Sequence, residues 1–423
     1  MRKVGNLSRP LPQASGAGGR IGAGKVQLRG TCRSSDLGGR QEDKHSMKIL
    51  VDPEIFFYGR CGMVRYYSRL CEELEKRGHT IDLPLVRSNS DFISGKWQRL
   101  TALSRLPLGR KVLNKVDVLS KRQYFQRVRG GQYDVVLITS PVFEDEFLKF
   151  LPTGKPFVMV VHDTMRCVLG PDGLFDPAGS NADRLAYLIR RAAKAICISN
   201  ATQRDVLQLS LVPEGQTTVI HTGNLLNVSE VSTASLKLPE RYLAFVGDRT
   251  GRKNFRFFIL SVAEWMRAQK DLFLVCTGKS NVWEADLLHT LGLKDRVLFV
   301  DAPDTVLVDL YKNALALVYP SLYEGFGLPA LEAMAVGCPV ITSACGALQE
   351  VGGEAVQYVD PHDQSSILAG VRAVVESEPY REQLRQKGFS QASRFTLAAM
   401  VTAFEETFQE AIRHQEHQLM ASV

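Results

Sequence analysis

The feature that most restricts the folds open to this chain is an alternation that begins at Met47. Apolar runs of three to six residues, rich in Val, Ile, Leu and Phe, are separated by longer amphipathic stretches. Runs this short and continuously apolar suit strands buried on both faces, and the helical stretches between them supply the crossovers that a parallel sheet requires. The expected strands are Lys48 to Val51, Thr80 to Leu83, Val135 to Ile138, Phe157 to Val161, Ala195 to Ile198 and Thr217 to His221. A second series follows at Tyr242 to Val246, Leu272 to Thr277, Val297 to Val300, Ala314 to Tyr319, Val340 to Thr342 and Ala355 to Tyr358. Two successive series of six predict two doubly wound α/β domains rather than one large sheet. A length of 423 residues agrees with two to three domains.

The expected division places one domain at 47–225, a linker at 226–240 where Ser, Thr, Val and Pro break the periodicity, and a second domain at 241–390. In 391–423 a helix from Thr396 to Gln415 aligns Met400, Val401, Phe404, Phe408 and Ile412 on one side, a face that must pack back on one domain or both. Residues 1–46 contain nine glycines and little apolar periodicity, the composition of a disordered extension, and Met47 reads as a candidate biological start. Within that extension Gly19 to Lys25 has the spacing of a phosphate-binding loop. Val26 stands where a magnesium-binding hydroxyl belongs and no strand precedes it, so the stretch is read as a decoy.

Composition removes several classes. Runs such as Phe157 to Val161 fall far short of the roughly 18 apolar residues that span a bilayer. No secretory leader pattern is read at the N-terminus, and the eight cysteines stand singly without metal-ligand spacing, which predicts reduced thiols and a cytoplasmic setting. Charge is unevenly spread: residues 1–130 hold 26 Lys and Arg against 11 Asp and Glu, a balance of +15, whereas the remainder balances at −8. Residues 95–130 carry ten cations against Asp117 alone, interleaved with apolar side chains, a pattern that suits peripheral docking on the anionic inner face of a membrane. Nucleic acid is not expected there, because Trp97, Tyr124 and Phe125 are the only stacking candidates.

The chemistry concentrates between Tyr319 and Thr342. A strand ends at Tyr319, a loop carries Glu324-Gly-Phe-Gly-Leu-Pro, Pro329 is expected at the first helical position, and Gly337 closes the helix. Two carboxylates, Glu324 in the loop and Glu332 in the helix, thus flank a glycine-rich turn whose amides and helix dipole favour an anion. Carboxylates suit sugar hydroxyls and the helix end suits a pyrophosphate, so together they describe a nucleotide-sugar site at the carboxyl edge of a sheet.

This stretch resembles the E-x7-E signature of the retaining glycosyltransferases of family 4, which have the two-domain GT-B fold. The resemblance extends through Ala344 to Glu354 and Asp360-Pro361 and covers about Met47 to Phe408. It implies that Glu324 binds the donor hexose, that the amides around Phe326, Gly327 and Leu328 face hexose and phosphate, and that Glu332 holds the ribose diol. Gly247 to Asn254 is similar to the family's G-x-x-x-x-R-K-N segment, implying that Lys253, with either Arg249 or Arg252, neutralises the departing pyrophosphate. Cys61-Gly62-Met63-Val64-Arg65-Tyr66 resembles G-G-x-x-R-Y, with Gly62 matching the second glycine and Cys61 departing at the first. His162, at the end of the fourth run, corresponds to the family histidine that reaches the donor sugar.

By that resemblance transfer proceeds with same-face attack, a donor phosphate oxygen taking the acceptor proton, and with neither metal nor cofactor beyond the nucleotide-sugar co-substrate. The acceptor would be a glycan or a lipid-linked glycan of polysaccharide or lipopolysaccharide assembly. Competing readings are a glycosidase built on paired carboxylates, a sugar-nucleotide epimerase of the same fold and a non-catalytic anion-binding scaffold.

Overall fold

The computed structural model describes residues 46–58, 61–88, 90, 93, 110–139, 151–152, 154–165, 180–210, 212–227, 237–249 and 251–421. The glycine-rich extension, its phosphate-loop decoy and the basic segment before Arg110 lie outside the described residues.

Among the described residues twelve strands form two parallel sheets of six. The first contains β1 (Lys48–Val51), β2 (Thr80–Asp82), β3 (Val135–Ile138), β4 (Phe157–Val161), β5 (Lys194–Cys197) and β6 (Thr217–Val219) in the order β2-β1-β3-β4-β5-β6. The second contains β7 (Tyr242–Phe245), β8 (Phe273–Thr277), β9 (Val297–Val300), β10 (Ala316–Tyr319), β11 (Val340–Ser343) and β12 (Gln357–Val359) in the order β12-β11-β10-β7-β8-β9. Each expected strand is present within two residues at either end. β3, β4, β7 and β10 are buried at every residue, which is why they read as continuous apolar runs.

The helices are α1 (Gly62–Lys76), α2 (Arg110–Gly130), α3 (Ser180–Arg191), α4 (Asn200–Ser210), α5 (Phe255–Ala268), α6 (Val282–Thr290), α7 (Asp304–Asn313), α8 (Leu328–Ala335), α9 (Leu348–Gly352), α10 (Gln364–Glu376), α11 (Glu378–Ala392) and α12 (Leu397–Ala421). On one face of the first sheet, α2, α3 and α4 bury Tyr124, Leu185, Leu188, Ile189 and Val206 against β3, β4 and β5. On its other face lie α1 and the C-terminal helix. α12 therefore returns to the first domain: Met400, Val401, Phe404 and Phe408 are buried beside α1, Phe404 meets Tyr66 edge to face, and Arg77 and His79 bind Glu405 at 2.6 and 2.9 Å. Among the described residues no helix is long and apolar enough to cross a membrane.

Strand order in the second sheet reverses between β7 and β10, whose following segments run to opposite faces. The crevice outside their carboxyl ends is where an open α/β sheet receives a ligand. The Gly247 to Asn254 segment follows β7 and the Glu324 loop follows β10, so both motifs open on that crevice.

Candidate functional site

After β7 the chain makes a 3-10 turn, Gly251–Lys253, and enters α5 through Asn254, whose φ of +60° is the left-handed conformation that asparagine tolerates better than most residues. The Asn254 amide is tied to the Pro361 carbonyl at 2.8 Å. This sharp entry brings two consecutive cations onto one carboxylate. Lys253 Nζ donates to Glu324 Oε1 at 2.7 Å, and the Arg252 guanidinium donates to Oε2 at 2.8 Å. Lys253 also donates to the Tyr319 hydroxyl at the end of β10.

Glu324 is fixed in turn by its main chain. Its carbonyl accepts from Ala347 at 3.1 Å, and the φ of +58° at Gly346 brings that loop so close that a Cβ there would lie 2.5 Å from the same oxygen. Burial pushes the Glu324 carboxyl upward, but Lys253 and Arg252 outweigh it and hold the group below the usual carboxylate range. Burial also pulls the Lys253 ammonium below the usual lysine range, and Glu324 restores only part of that. The result is a desolvated, ionised cluster with one net positive charge, and each carboxylate oxygen keeps lone-pair capacity for a hydroxyl.

α8 begins at Leu328, one residue earlier than expected, with Pro329 second. Gly327 takes a φ of +106° to turn the loop into the helix. Phe326 is buried, its ring against His221 and Phe395, so the residue contributes backbone rather than side chain to the crevice. The first amides of α8 have no partner within the helix. Opposite them lies Gly62, the first residue of α1: a Cβ there would meet Leu328 Cδ1 at 3.4 Å. Two helix N-termini from opposite domains thus converge, a strongly anion-favouring arrangement.

Glu332, one turn into α8, is 1% exposed. Its Oε1 receives Arg65 of α1 at 2.5 Å and its Oε2 receives the Tyr311 hydroxyl at 3.2 Å, while Arg65 also binds Asp304 at 3.0 Å.

His162 sits just beyond β4, edge to face with both Tyr66 and Tyr67, which also meet each other. The Tyr67 hydroxyl donates to the Thr139 carbonyl at 2.7 Å, so at 2.8 Å from His162 Nε2 it accepts, which assigns the ring proton to Nε2 and leaves Nδ1 as acceptor. Burial pulls the imidazole pKa down to about 4. The ring is therefore neutral at physiological pH and suited to receive a hydroxyl rather than to balance a phosphate. Because the unfolded chain binds this proton more readily, stability is full above about pH 6.5 and falls as pH drops toward about 4, by roughly 3 kcal/mol over that window. Urea titrations across that range should show a shallower decline in His162→Gln than in the unaltered protein; equal slopes would contradict the assignment of a neutral ring to this half-buried histidine.

Arg249 requires a correction to its expected place beside the donor. Its guanidinium is turned into the second domain, held by Glu284 at 2.9 and 3.2 Å and by the carbonyls of Thr277 and Lys279. Glu284 completes a capping box with Asn281 at the start of α6. Arg249 thus shapes the loop from beneath, and Arg252 is the cation beside Lys253. Removing one partner of a buried pair strands the other, so Arg249→Met should cost about 3 to 5 kcal/mol in urea denaturation. Nucleotide affinity of the folded fraction should stay within threefold; loss of affinity at unchanged stability would return Arg249 to the crevice.

Contacts across the crevice include several that motif spacing did not reveal. Tyr323 donates to Asp205 at 2.6 Å, and Thr202 donates to the Gly325 carbonyl at 3.2 Å. Glu350 of α9 accepts the amides of Asn200 and Ala201 at 2.9 and 2.6 Å, capping α4 of the other domain. Of these residues, Tyr323, Gly325 and Glu350 lie in the family-like stretches of the sequence, whereas Asn200, Ala201, Thr202 and Asp205 lie outside them.

Two facing doubly wound domains with a cationic crevice between them define a GT-B protein. The family description "Glycosyl transferases group 1" matches residues 230–391, and "Glycosyltransferase Family 4" matches residues 61–224. The chain belongs to the group 1 and family 4 glycosyltransferases. Among its relatives is O-antigen chain mannosyltransferase B of Escherichia coli, 36% identical over 166 residues that make up 37% of this chain and 42% of that protein. The chain spans about half the length of the curated relatives it matches. Among solved structures, sucrose-phosphate synthase of Thermosynechococcus elongatus superimposes with a TM-score of 0.66 at 20% identity, over 89% of this chain and 100% of that one. HepE of Anabaena, solved with UDP-glucose, gives 0.63 at 18% identity, over 86% and 99%.

Proposed function

We propose that this protein moves a hexose from a nucleotide-diphosphate sugar, of the GDP-mannose or UDP-hexose type, to a glycan or lipid-linked acceptor in cell-surface polysaccharide or lipopolysaccharide assembly, with retention of anomeric configuration. The observation that carries this reading is the Lys253, Arg252 and Glu324 cluster at the switch point of the second sheet. When the anomeric C–O bond to phosphate breaks, negative charge grows on the diphosphate, and pre-placed cations in a dry site stabilise that transition state. Glu324 takes the hexose hydroxyls, Glu332 the ribose diol, and His162 Nδ1 a further sugar hydroxyl from the first domain. The acceptor oxygen bonds to the anomeric carbon on the face the diphosphate leaves, and its proton passes to a donor phosphate oxygen. The O-antigen mannosyltransferase supports the polymer setting, and HepE with UDP-glucose supports a nucleotide-sugar donor.

The glycosidase alternative needs a solvent-reachable acid beside a second carboxylate. Here Glu324 is kept ionised by two cations and Glu332 is enclosed by Arg65 and Tyr311. The side-chain cations at the diphosphate position also support metal-independent transfer. The test is a turnover assay with GDP-mannose and UDP-glucose and a membrane extract as acceptor, followed by NMR of the anomeric proton. Acceptor-dependent release of nucleoside diphosphate, an α product from an α donor, and full activity in EDTA are expected. Free sugar without nucleotide release, turnover of donor alone, or loss in EDTA that magnesium restores would each overturn the corresponding part.

Peripheral membrane docking is part of the same reading. On α2, Val118 and Leu119 are 44% and 48% exposed, next to Lys121 and Arg122 on the same surface helix. Flotation with phosphatidylglycerol vesicles but not with neutral ones is expected, and equal behaviour would contradict it.

A further inference from the structure

α1 and α8 face each other across the crevice in step. Gly62 of α1 abuts Leu328 of α8; one turn on, Arg65 meets Glu332, so positions i and i+3 of one helix contact i and i+4 of the other. The Arg65 guanidinium reaches both Glu332 and the half-buried Asp304, and the Arg65–Glu332 pair itself lies out of water, with Arg65 at 6% and Glu332 at 1% exposure. We propose that Arg65 is a positioning residue for donor recognition: it holds the Glu332 carboxylate for a ribose diol, and because the two residues belong to opposite domains, diol recognition is established only when the crevice is closed. The proposal rests on the reading that Glu332 takes the diol.

Three observations support it. A buried ion pair adds little stability compared with apolar packing, so glue alone is a poor reason for this arginine. Tyr311 and Arg65 each occupy one position on a carboxylate that has about four, which leaves acceptor capacity for two hydroxyls. The groups facing Glu332 are Arg65 from α1 and Asp304 and Tyr311 from α7. Burial pushes the Glu332 carboxyl above the usual range, Arg65 opposes this, and Asp304 adds to it. Without Arg65 only the Tyr311 hydrogen bond still opposes burial and Asp304, so the balance moves further toward the protonated acid, and a protonated carboxyl is a weak acceptor for a diol.

The experiment compares calorimetric affinities of UDP with 2′-deoxy-UDP, and of GDP with 2′-deoxy-GDP, between about pH 6 and about pH 8. The proteins are the unaltered chain, Arg65→Met, Arg65→Lys and Glu332→Gln. The unaltered protein should prefer the ribonucleotide about tenfold or more at every pH. Arg65→Met should lose that preference at the acid end and recover part of it toward the alkaline end, while Arg65→Lys keeps most of it. A merely structural arginine would lower stability and leave the ratio untouched. If Glu332→Gln abolishes the preference and Arg65→Met does not, the donor reading stands and the role of Arg65 is overturned. If the unaltered protein shows no preference, the assignment of Glu332 fails, and the proposal with it.

Discussion

Gly325→Ala should reduce transfer by about 100-fold or more while leaving a folded protein that still binds nucleotide. A Cβ at Gly325 would lie 1.9 Å from the His162 carbonyl oxygen and 3.0 Å from Asp163 Cβ. Neither side can yield cheaply: His162 follows directly on β4 with its ring locked by Tyr67, and the Gly325 loop is pinned by Gly346 and Thr202. The added methyl must therefore push the domains apart. The Lys253 and Arg252 cluster lies wholly within the second domain, so nucleotide should still bind, with affinity lowered by about tenfold as the Arg65 support of Glu332 is lost, whereas His162 and the start of α1 would be displaced from the donor. Misplacing reacting groups by about 1 Å costs on the order of 100-fold in rate. Initial rates and calorimetry on the same preparation separate the two effects. Activity within threefold of the unaltered protein would contradict the closed arrangement as the working one.

Lys253→Ala should cost about 1,000-fold in kcat/KM, equivalent to about 4 kcal/mol of transition-state stabilisation. Two losses combine. The leaving diphosphate loses a desolvated cation, and Glu324 keeps only Arg252, whose side chain is 29% exposed against 9% for Lys253. Lys253→Arg is expected to rescue little, because the ammonium fits between the Tyr319 hydroxyl and Glu324 in a buried slot, and a planar guanidinium needs more room. A loss below tenfold would show that the cluster is structural. Arg252→Met, at the more open position, should cost less than Lys253→Ala.

The strands were legible in the sequence because both faces of each sheet are covered: a run such as Phe157 to Val161 has no polar face to blur it. The E-x7-E stretch was legible for a related reason, since a strand, a glycine-rich loop and a helix with proline in its first turn are short-range features. What stayed hidden depends on contacts distant in sequence. Arg65 pairs with residues 239 and 267 positions away, and nothing near Arg65 announces Asp304 or Glu332. Arg249 and Arg252 differ by three positions in one turn, and the choice between them was decided by Glu284, 35 residues on, which claims Arg249 for the second domain. The apolar face of the last helix was plain, but its destination was not, because either domain presents a suitable surface; the polar contacts of Glu405 with Arg77 and His79 belong to the first. His162 is legible through its correspondence to the family histidine at a strand end, whereas its tautomer follows from Tyr67 and Thr139 and its neutral charge from burial.

The most direct test of the central claim is calorimetric titration of the unaltered protein with GDP, UDP, ADP and dTDP and their hexose conjugates, repeated on Lys253→Ala. The account predicts that one nucleotide binds in the micromolar range, that the others bind far more weakly, and that Lys253→Ala weakens the preferred one by tenfold or more. No binding of any nucleotide up to about 1 mM, the upper end of ordinary substrate affinities, would contradict it.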